Sequence, residues 1–423
     1  MSKRSGVLLF AVLAVLFLAA NHGAYRGYFQ DDELDTISWA RYGSFPDYLK
    51  AAASPLFQEN NFRPVGHFYF HEAANRFDLD FPKYVAAIHL LHLLNVWLLW
   101  LVERRLGASP MAAGAGAAFF AFHMALFDNF WKPMYVFDVL CATFCLLSIL
   151  LYSRQRWVWS FVSFWLAYKA KELAVMLPLV LASYEIWCGE RRWKPLIPFF
   201  AASVSFGLQG LLLNPNRDNE YTFRFTAAAL AKTSVFYAKL VFLVPYAGFL
   251  LPLLLPAARN RRVWFGLATT ALFFFPLLFL PGRLFAAYCY LPFTGLAIAL
   301  AGLAEDRRAV WAGLFFLAWI PLDWQALRGQ ERLALQKDDD VRAWVGALVA
   351  FARTNPPPDG IVVDGAPVGF ARWGVEGAAK YVFQKLDLKV SYRGDPDASQ
   401  VAAGKRVALL RWDGERHRLD ITR

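Results

Sequence analysis

The residues of this chain best suited to chemistry form an acidic segment that contains Asp31, Asp32, Glu33 and Asp35. Carboxylates this close together repel one another when ionised, so we expect at least one raised pKa, unless a cation or a substrate balances the charge. Such a cluster suits a general base. The alternatives are a solvated acidic turn and the start of a helix with Asp31 or Asp32 as its N-cap.

A second set of residues is basic and could hold an anionic substrate. Arginine binds a phosphate through two parallel hydrogen bonds, whereas lysine offers a point charge. Two members also have simpler interpretations, because Arg283 could snorkel at a helix end and Lys171 could pair locally with Glu172. The basic candidates are Arg63, Lys132, Lys169, Lys171 and Arg283.

The acidic and basic candidates must be positioned by the rest of the chain, which consists largely of recurring apolar runs. Apolar residues make up 58% of the 423 positions, and the mean hydropathy is +0.34. No single soluble core needs so much apolar sequence, so we predict an α-helical polytopic membrane protein. Windows of about 17 to 25 residues predict about eleven transmembrane helices. They lie near 6–21, 84–103, 111–127, 133–152, 157–169, 172–188, 195–213, 234–256, 263–280, 284–304 and 309–326.

Basic clusters fall at every second connection between these windows and predict their orientation. Lysine and arginine are enriched on the cytoplasmic side, so we expect a cytoplasmic N-terminus, a periplasmic C-terminus, and acidic and basic candidates that share the periplasmic face. Topology also explains the net charge of +11, and we expect no nucleic-acid partner. The clusters are Lys3-Arg4, Arg104-Arg105, Arg154 with Arg156, Arg191-Arg192 with Lys194, Arg259 with Arg261-Arg262, and Arg307-Arg308.

Two long segments lie outside the predicted membrane bundle of residues 1–329. One is the first periplasmic loop, 22–83, and loops this long are usually functional. The other is 330–423, where the composition becomes that of a soluble protein and predicts a small C-terminal α/β domain. Its predicted elements are an amphipathic stretch at 341–353 and strands at 361–363, 390–392 and 407–411.

Several soluble-enzyme signatures are absent from the sequence. It contains no GxxxxGK[ST], no GxGxxG after a strand, no GxSxG and no HExxH. An ATP-driven pump or a Rossmann enzyme is therefore not indicated.

Four segments, in their order and on one predicted face, resemble the GT-C superfamily of membrane glycosyltransferases. The resemblance is strongest to bacterial relatives of the protein O-mannosyltransferases and of the lipid A aminoarabinose transferases. In the fourth segment, the inserted Phe285-Ala-Ala287 separates the arginine from the tyrosines that follow it in family members. The segments are Asp31-Asp32, Asn61-Phe-Arg-Pro64 with the helix His89–Asn95, Lys171-Glu172 with Pro178, and Arg283 with Tyr288-Cys-Tyr-Leu-Pro292.

The resemblance implies a GT-C-like bundle in the bacterial inner membrane that transfers a sugar from a polyprenyl-phosphate donor. Asp31 or Asp32 would deprotonate an acceptor hydroxyl, which attacks the anomeric carbon with inversion. The donor phosphate would lie near Arg283 and Lys171. Further substrate-binding residues would be Arg63, Lys132, Glu172, Tyr290 and His92. No cofactor or metal is required, although a divalent cation is possible.

The acceptor stays open, because lipids, glycans and proteins all present hydroxyl groups at this face of the membrane. A polymerase or ligase of surface glycans would share the same architecture. A transporter or flippase of lipid-linked saccharides is the alternative from another class. It would more naturally place charges at the bilayer midplane and show repeated halves.

Overall fold

The computed structural model describes residues 3–56, 62–213, 218–254, 260–305 and 309–422. In these residues a bundle of helices leads into a small sheet near the C-terminus. Asn61, Arg259 and Arg307-Arg308, singled out in the sequence, lie outside the described residues. The helices before the sheet are α1 (Lys3–Ala20), α2 (Asp31–Ala40), α3 (Phe45–Ala53), α4 (Pro64–Phe77), α5 (Phe81–Arg105), α6 (Pro110–Phe122), α7 (Phe127–Trp131), α8 (Val136–Ser153), α9 (Trp157–Ala170), α10 (Leu177–Trp187), α11 (Ile197–Leu213), α12 (Ala227–Phe242), α13 (Arg261–Phe274), α14 (Tyr290–Leu303) and α15 (Ala309–Thr354).

Among the described residues, four helical segments are long and apolar enough to cross a membrane. They are Phe81–Arg105, Pro133–Ser153, Arg261–Phe279 and Ala286–Leu303. A fifth is obtained if Pro110–Phe122 and Met124–Trp131, which meet at a bend of 44°, count as one span. The chain is thus a helical membrane protein, and the larger number of about eleven spans stays a prediction.

The predicted windows coincide with helices, but several of them are interrupted. The window 172–188 divides into a 3-10 turn, Glu172–Met176, and α10, with Pro178 in the first turn of α10. The window 234–256 breaks after α12, where Leu243 has a φ of 59° and Pro245 follows. Proline disfavours helical backbone at the preceding residue and removes an amide donor. These breaks leave several helices too short to meet the length criterion for a span.

The predicted first loop is folded rather than extended. Its helices α2, α3 and α4 pack on one another, and α4 also contacts α8 and α9 of the bundle. Ser44 caps α3 by accepting a hydrogen bond from the Asp47 amide, and Pro64 begins α4, where proline needs no amide donor. The loop therefore forms a helical layer over one end of the bundle, which we name the first-loop end.

The C-terminal part joins the bundle through α15, a single helix of 46 residues. The predicted boundary between residues 329 and 330 lies inside this helix. After it come β1 (Gly360–Asp364), α16 (Arg372–Val382), β2 (Lys389–Tyr392), α17 (Ala398–Ala402), β3 (Val407–Asp413) and β4 (Arg418–Thr422). The strand order is β2-β1-β3-β4, with β1 parallel to β2 and β3 and with β4 antiparallel to β3. The three predicted strands are confirmed, and β4 is an addition.

Helix α16 docks on helix α2, which carries the acidic segment. Two glycines on α16 allow this close approach: a Cβ at Gly374 would lie 2.7 Å from the Asp31 Cα, and one at Gly377 would lie 2.5 Å from the Asp35 Cα. Side chains at these two positions would push the helices apart. The C-terminal part is therefore held directly against the residues that the sequence marks as candidates for chemistry.

Candidate active site

The acidic segment occupies the first two turns of α2. The N-cap is Gln30, not Asp31 or Asp32, and the Glu33 carboxylate accepts a hydrogen bond from the Gln30 amide at 3.1 Å. Three acidic groups in the first turn also interact favourably with the helix dipole. The structure thus contains the helix start that the sequence allowed, with the cap shifted by one residue.

Asp31 and Asp32 both contact the C-terminal part, but in different ways. Asp31 accepts a hydrogen bond from the Ala371 amide at 2.6 Å with one oxygen, while the other lies 3.6 Å from the Lys337 ammonium. Asp32 accepts a hydrogen bond from the Trp373 indole at 2.7 Å with Oδ1. In the described part of the chain, its Oδ2 has no hydrogen-bond partner, and the residue is exposed. Asp31 is held by two groups, whereas Asp32 keeps an oxygen available for another partner.

Glu33 and Asp35 have the raised pKa values that the sequence predicts, although the main cause is burial rather than mutual repulsion. Burial raises the pKa of Glu33 to about 7. It also raises the pKa of Asp35, with the Asp32 charge as a smaller contribution. Desolvation destabilises the ionised carboxylate, and the Glu33 side chain is almost inaccessible to solvent.

Glu33 also connects the acidic segment to the bundle. Its Oε1 accepts a hydrogen bond from the Met134 amide at 3.1 Å, just before α8 begins. Asp138 follows four residues later, in the first turn of α8. The 3-10 turn Pro133–Tyr135 and the first turn of α8 therefore link the acidic segment to a second charged group within the bundle.

That second group is an ion-pair cluster formed by Arg63, Asp138, Lys171 and Glu172. Lys171 donates to Asp138 at 2.5 Å, and the two side chains are only 13% and 5% exposed. Arg63 binds Glu172 through two parallel hydrogen bonds of 2.8 and 3.0 Å, and its guanidinium lies 5.4 Å from the centre of the Phe137 ring. The local pair of Lys171 with Glu172 is replaced by pairs that join three separate segments of the chain.

His67 supports the ion-pair cluster without carrying charge. Its Nδ1 accepts a hydrogen bond from the Arg63 amide at 2.9 Å, and its ring stacks on Phe62. Burial, together with the nearby Arg63 charge, lowers the pKa of His67 to about 3. A neutral imidazole therefore fixes the backbone from which Arg63 extends.

Arg283 lies beside the ion-pair cluster through Tyr288. Its guanidinium donates to the Tyr288 hydroxyl at 3.3 and 3.4 Å and to Glu220 at 3.0 Å. The Lys171 ammonium lies 4.3 Å from the centre of the Tyr288 ring. The three inserted residues that separate Arg283 from the tyrosines thus do not prevent this contact.

Lys132 lies beside the acidic segment. It pairs with Asp128 at 3.0 Å, and its charge also interacts with Glu33. Lys169, the remaining basic candidate, is buried and donates instead to the Leu56 carbonyl at 3.2 Å. Of these two, Lys132 alone is positioned near the acidic segment.

Tyr290 and His92 lie apart from these groups, inside the bundle. The Tyr290 hydroxyl lies 2.7 Å from His92 Nδ1 and accepts a hydrogen bond from Asn95 at 3.1 Å. His92 Nε2 lies 3.2 Å from the Ala121 carbonyl, so this nitrogen carries the proton and Tyr290 donates to the other one. Both side chains are fully buried. This network joins α5, α6 and α14, and a contact of either residue with substrate stays a prediction.

Two contributors to this region were not selected from the sequence. Asp138 lies in an apolar window, where an ionisable residue usually marks function or a buried partner, so a signal for it existed. Trp373 had no such signal, because it is separated from Asp32 by 341 residues. Among the described residues, no group of three or more His, Cys, Asp and Glu side chains could hold a metal ion.

Chemically, the first-loop end combines an exposed carboxylate with several cations. The carboxylate can accept a proton, and arginine and lysine can stabilise a developing phosphate charge. Because the cations are already paired with carboxylates, an anionic ligand must share them or displace a partner.

Comparison with known proteins gives structural matches only. No family model matches the chain, and no curated protein matches it in sequence. Three solved glycosyltransferase structures of the GT-C class resemble it in fold. The chain has the GT-C fold.

The match to ArnT from Cupriavidus metallidurans, solved bound to undecaprenyl phosphate, has a TM-score of 0.54 at 13% identity and covers 95% of this chain and 88% of ArnT. The oligosaccharyltransferase of Archaeoglobus fulgidus matches with a TM-score of 0.51 at 10% identity, over 97% of this chain and 70% of that one. The arabinofuranosyltransferase AftD from Mycobacteria matches with a TM-score of 0.50 at 18% identity. That match covers 88% of this chain but only 30% of the much longer AftD. At these identities, the comparisons establish the GT-C fold and no more.

Proposed function

We propose that this GT-C protein transfers a sugar from a polyprenyl-phosphate donor to an acceptor hydroxyl at the first-loop end of the bundle. The observation that carries the proposal is the presence of an exposed carboxylate, Asp32, and the ion-pair cluster at the same end of the fold. The match to ArnT, which was solved with undecaprenyl phosphate, supports a lipid phosphate as the carrier. The pattern of basic clusters supports a periplasmic location of this end.

Asp32 is the better candidate for the base. Both oxygens of Asp31 face donors of the C-terminal part, so this residue serves docking. Asp32 is held in one orientation by the Trp373 indole, and its second oxygen, which has no partner among the described residues, is available for a substrate proton. A base needs a fixed position and a free lone pair, and Asp32 combines the two.

Arg63 and Arg283 are the better candidates for binding the donor phosphate. Their carboxylate partners, Glu172 and Glu220, are 46% and 60% exposed and can turn toward solvent at low cost. Asp138, by contrast, is buried and stays with Lys171 because an unpaired charge there would be expensive. A phosphate would therefore replace the two exposed carboxylates, while Lys171 adds a fixed positive charge beside it.

The reaction balances without a cofactor. Asp32 takes the proton of the acceptor hydroxyl as the oxygen forms a bond to the anomeric carbon. The bond between that carbon and the phosphate oxygen breaks on the opposite side, so the configuration inverts and the electron pair leaves with the lipid phosphate. The arginines stabilise the phosphate as it departs. A divalent cation is not needed, and transfer should persist in a chelator such as EDTA.

The experiment is transfer from a radiolabelled polyprenyl-phosphate sugar in membranes that contain the full chain. We expect Asp32→Asn to lower the transfer rate by about 10²- to 10⁴-fold, the usual contribution of a general base. Asp47→Ala, which removes an exposed carboxylate of the same loop, is the matched control and should transfer normally. Equal rates for Asp32→Asn and the native chain would refute the assignment of the base.

Donor binding is measured separately, with undecaprenyl phosphate. Arg63→Ala and Arg283→Ala should each weaken this binding about tenfold, the loss expected for one charge-assisted hydrogen bond. Asp32→Asn should bind the lipid as the native chain does. If the native chain moves the lipid across the bilayer but transfers no sugar, the proposal is wrong and a flippase is the better description.

A further inference from the structure

An open cleft of about 550 Å³ lies where the first loop meets the C-terminal part. Its walls come from the turn that precedes α5, the last turns of α15 and the end of α16. None of its lining residues belongs to the acidic segment or the ion-pair cluster. Its volume is in the ordinary range for sites that bind small molecules.

The cleft contains two cations that lack an anionic partner among the described residues. Arg41 and Arg353 line it, and in the described part of the chain neither forms an ion pair with a carboxylate. The Arg41 guanidinium stacks 4.7 Å from the centre of the Tyr381 ring instead. Two carboxylates also line the cleft: Asp80 is neutralised by Lys83 at 2.8 Å, whereas Asp78 accepts a hydrogen bond from the Tyr381 hydroxyl at 2.5 Å and keeps its charge. Two guanidinium groups against this one unneutralised carboxylate leave the lining with a net positive charge, which suits a ligand that brings negative charge.

The rim of the cleft holds backbone conformations that residues other than glycine rarely adopt. Asp78 has φ 51° and ψ −129°, and Gln384 has φ 53°. The Asp78 carbonyl is fixed by the Tyr84 hydroxyl at 2.9 Å. Strained backbone of this kind persists where the surrounding contacts enforce it, and it concentrates at binding sites. Here it presents a carboxylate and an amide toward the cleft.

The polar lining distinguishes this cleft from two other cavities of the chain. One lies between the end of α12 and α15, and the other lies along α11; their linings consist of apolar side chains such as Phe315 and Leu322 in the first and Ile197 and Val204 in the second. They suit lipid chains. The cleft instead combines guanidinium, carboxylate and amide groups with the Tyr28 and Phe77 rings, a mixture that suits hydroxyl groups and the faces of sugar rings.

The cleft is within reach of the candidate base. Tyr28 lines the cleft, and four residues of fully extended chain separate its Cα from that of Asp32 by at most about 14 Å. The position of Tyr28 is fixed, because its amide donates to Asp338 at 3.0 Å while Gln30 binds the other oxygen of that carboxylate. A ligand longer than one sugar could occupy the cleft and present its end to Asp32.

We propose that this cleft binds an acidic saccharide unit of the acceptor, one that carries a carboxylate or a phosphate. The inference rests on the transfer function proposed above, and it adds the chemical class of the acceptor. Arg41 and Arg353 bind the negative group, and Asp78 and Gln384 bind hydroxyl groups.

Direct binding to the full chain in phosphatidylcholine nanodiscs tests this proposal without requiring transfer. The probes are a fluorescent hyaluronan tetrasaccharide, mannose 6-phosphate as competitor, and neutral maltotetraose. We expect the native chain to bind the acidic probe at least tenfold more tightly than maltotetraose. Arg41→Ala and Arg353→Ala should each raise its Kd about tenfold, and mannose 6-phosphate should compete with it.

Arg76→Ala is the matched control, because Arg76 is exposed on neighbouring α4 and pairs with Glu72 outside the cleft. It should bind the acidic probe like the native chain, and unchanged thermal unfolding of all variants would exclude misfolding. Native-like binding by the Arg41→Ala/Arg353→Ala double variant would overturn the proposal. So would binding that occurs only with phosphatidylglycerol vesicles, since the cleft would then hold a lipid headgroup. If Asp32→Asn leaves transfer intact while the cleft variants lose the probe, the transfer mechanism fails and the cleft stands.

Discussion

The acidic segment and the ion-pair cluster both carry charge at the first-loop end, yet they are stabilised in opposite ways. In the cluster, Asp138 and Lys171 are buried and neutralise each other within the bundle. In the acidic segment, Asp32 is exposed and has a single indole partner, supplied by a part of the chain more than 300 residues away. Charges that must be desolvated are paired, whereas the candidate base keeps a free oxygen.

This difference indicates a division of labour between the two regions. The bundle can hold fixed charges because α8 and its neighbours are held in place by close packing. The acidic segment lies at the junction of α2 and α16, where groups of the C-terminal part contact Asp31 and Asp32. Under the proposed function, the position of the candidate base therefore depends on docking, and phosphate binding depends on the bundle.

The largest expected difference between the two regions is the loss of stability when a buried ion pair of the cluster is broken. Lys171→Ala leaves Asp138 buried without its partner and should lower the free energy of unfolding by about 3–5 kcal/mol. Lys83→Ala breaks an exposed pair with Asp80 and should cost less than about 1 kcal/mol. Chemical unfolding in detergent measures both.

A double variant separates the stability role of this pair from its role in binding. Lys171→Met with Asp138→Leu replaces the pair by apolar side chains and should recover most of the lost stability, while donor binding stays weakened. Equal losses for Lys171→Ala and Lys83→Ala would mean that the cluster is solvated, and the contrast between the two regions would disappear.

The second effect concerns pH. Burial raises the pKa of Glu33 to about 7 in the folded chain, against 4.5 when the side chain is exposed. A difference of this size changes the free energy of unfolding by about 3 kcal/mol between low and high pH. The folded state therefore binds a proton that the unfolded state releases between these values. Its contribution to stability is complete below pH 4.5, falls as the pH rises toward 7, and is lost above it.

Glu33→Gln tests this contribution, because the amide resembles the protonated carboxyl in shape and stays uncharged. The native chain should lose stability relative to Glu33→Gln as the pH rises from 5 to 8, measured by unfolding in detergent. A difference between the two proteins that does not change with pH would mean that Glu33 is ionised throughout and that this end of the bundle is hydrated.

The sequence was sufficient for the class of fold, whereas the roles that it suggests for the site residues stay predictions. Apolar windows predicted helices because membrane helices need long apolar stretches, and the order of the motifs predicted the GT-C fold that the comparisons support. The breaks within the windows were harder to predict, because Leu243 and Pro245 interrupt a run that is apolar throughout.

What the sequence could not give were partners across long separations. Lys171 and Glu172 are neighbours, and a local pair was the simplest expectation, but Lys171 pairs with Asp138 and Glu172 with Arg63. Likewise, nothing in the sequence connects Asp31 with Ala371, 340 residues apart. Such contacts arise when helices pack in the folded protein. They cannot be predicted from the residues next to each partner in the sequence.

The smallest effect distinguishes Asp31 from Asp32. Asp31→Ala removes the acceptor of the Ala371 amide and the partner of Lys337, which should weaken the docking of α16 by about 1–3 kcal/mol. Amide hydrogen exchange within α16 should then become about five- to a hundredfold faster, while exchange in α8 stays as in the native chain. Asp47→Ala is again the control, with unchanged exchange in both helices.

Transfer by Asp31→Ala should fall less than transfer by Asp32→Asn, because loosened docking lets Trp373 hold Asp32 for only part of the time, whereas the asparagine cannot accept the proton at all. If instead Asp31→Ala abolished transfer while α16 exchanged as in the native chain, Asp31 would be the base and Asp32 the docking residue. Asp31, which is held at both oxygens, would then be the base, and its contacts to Ala371 and Lys337 would block it. These contacts would have to break before Asp31 could accept a proton from the acceptor.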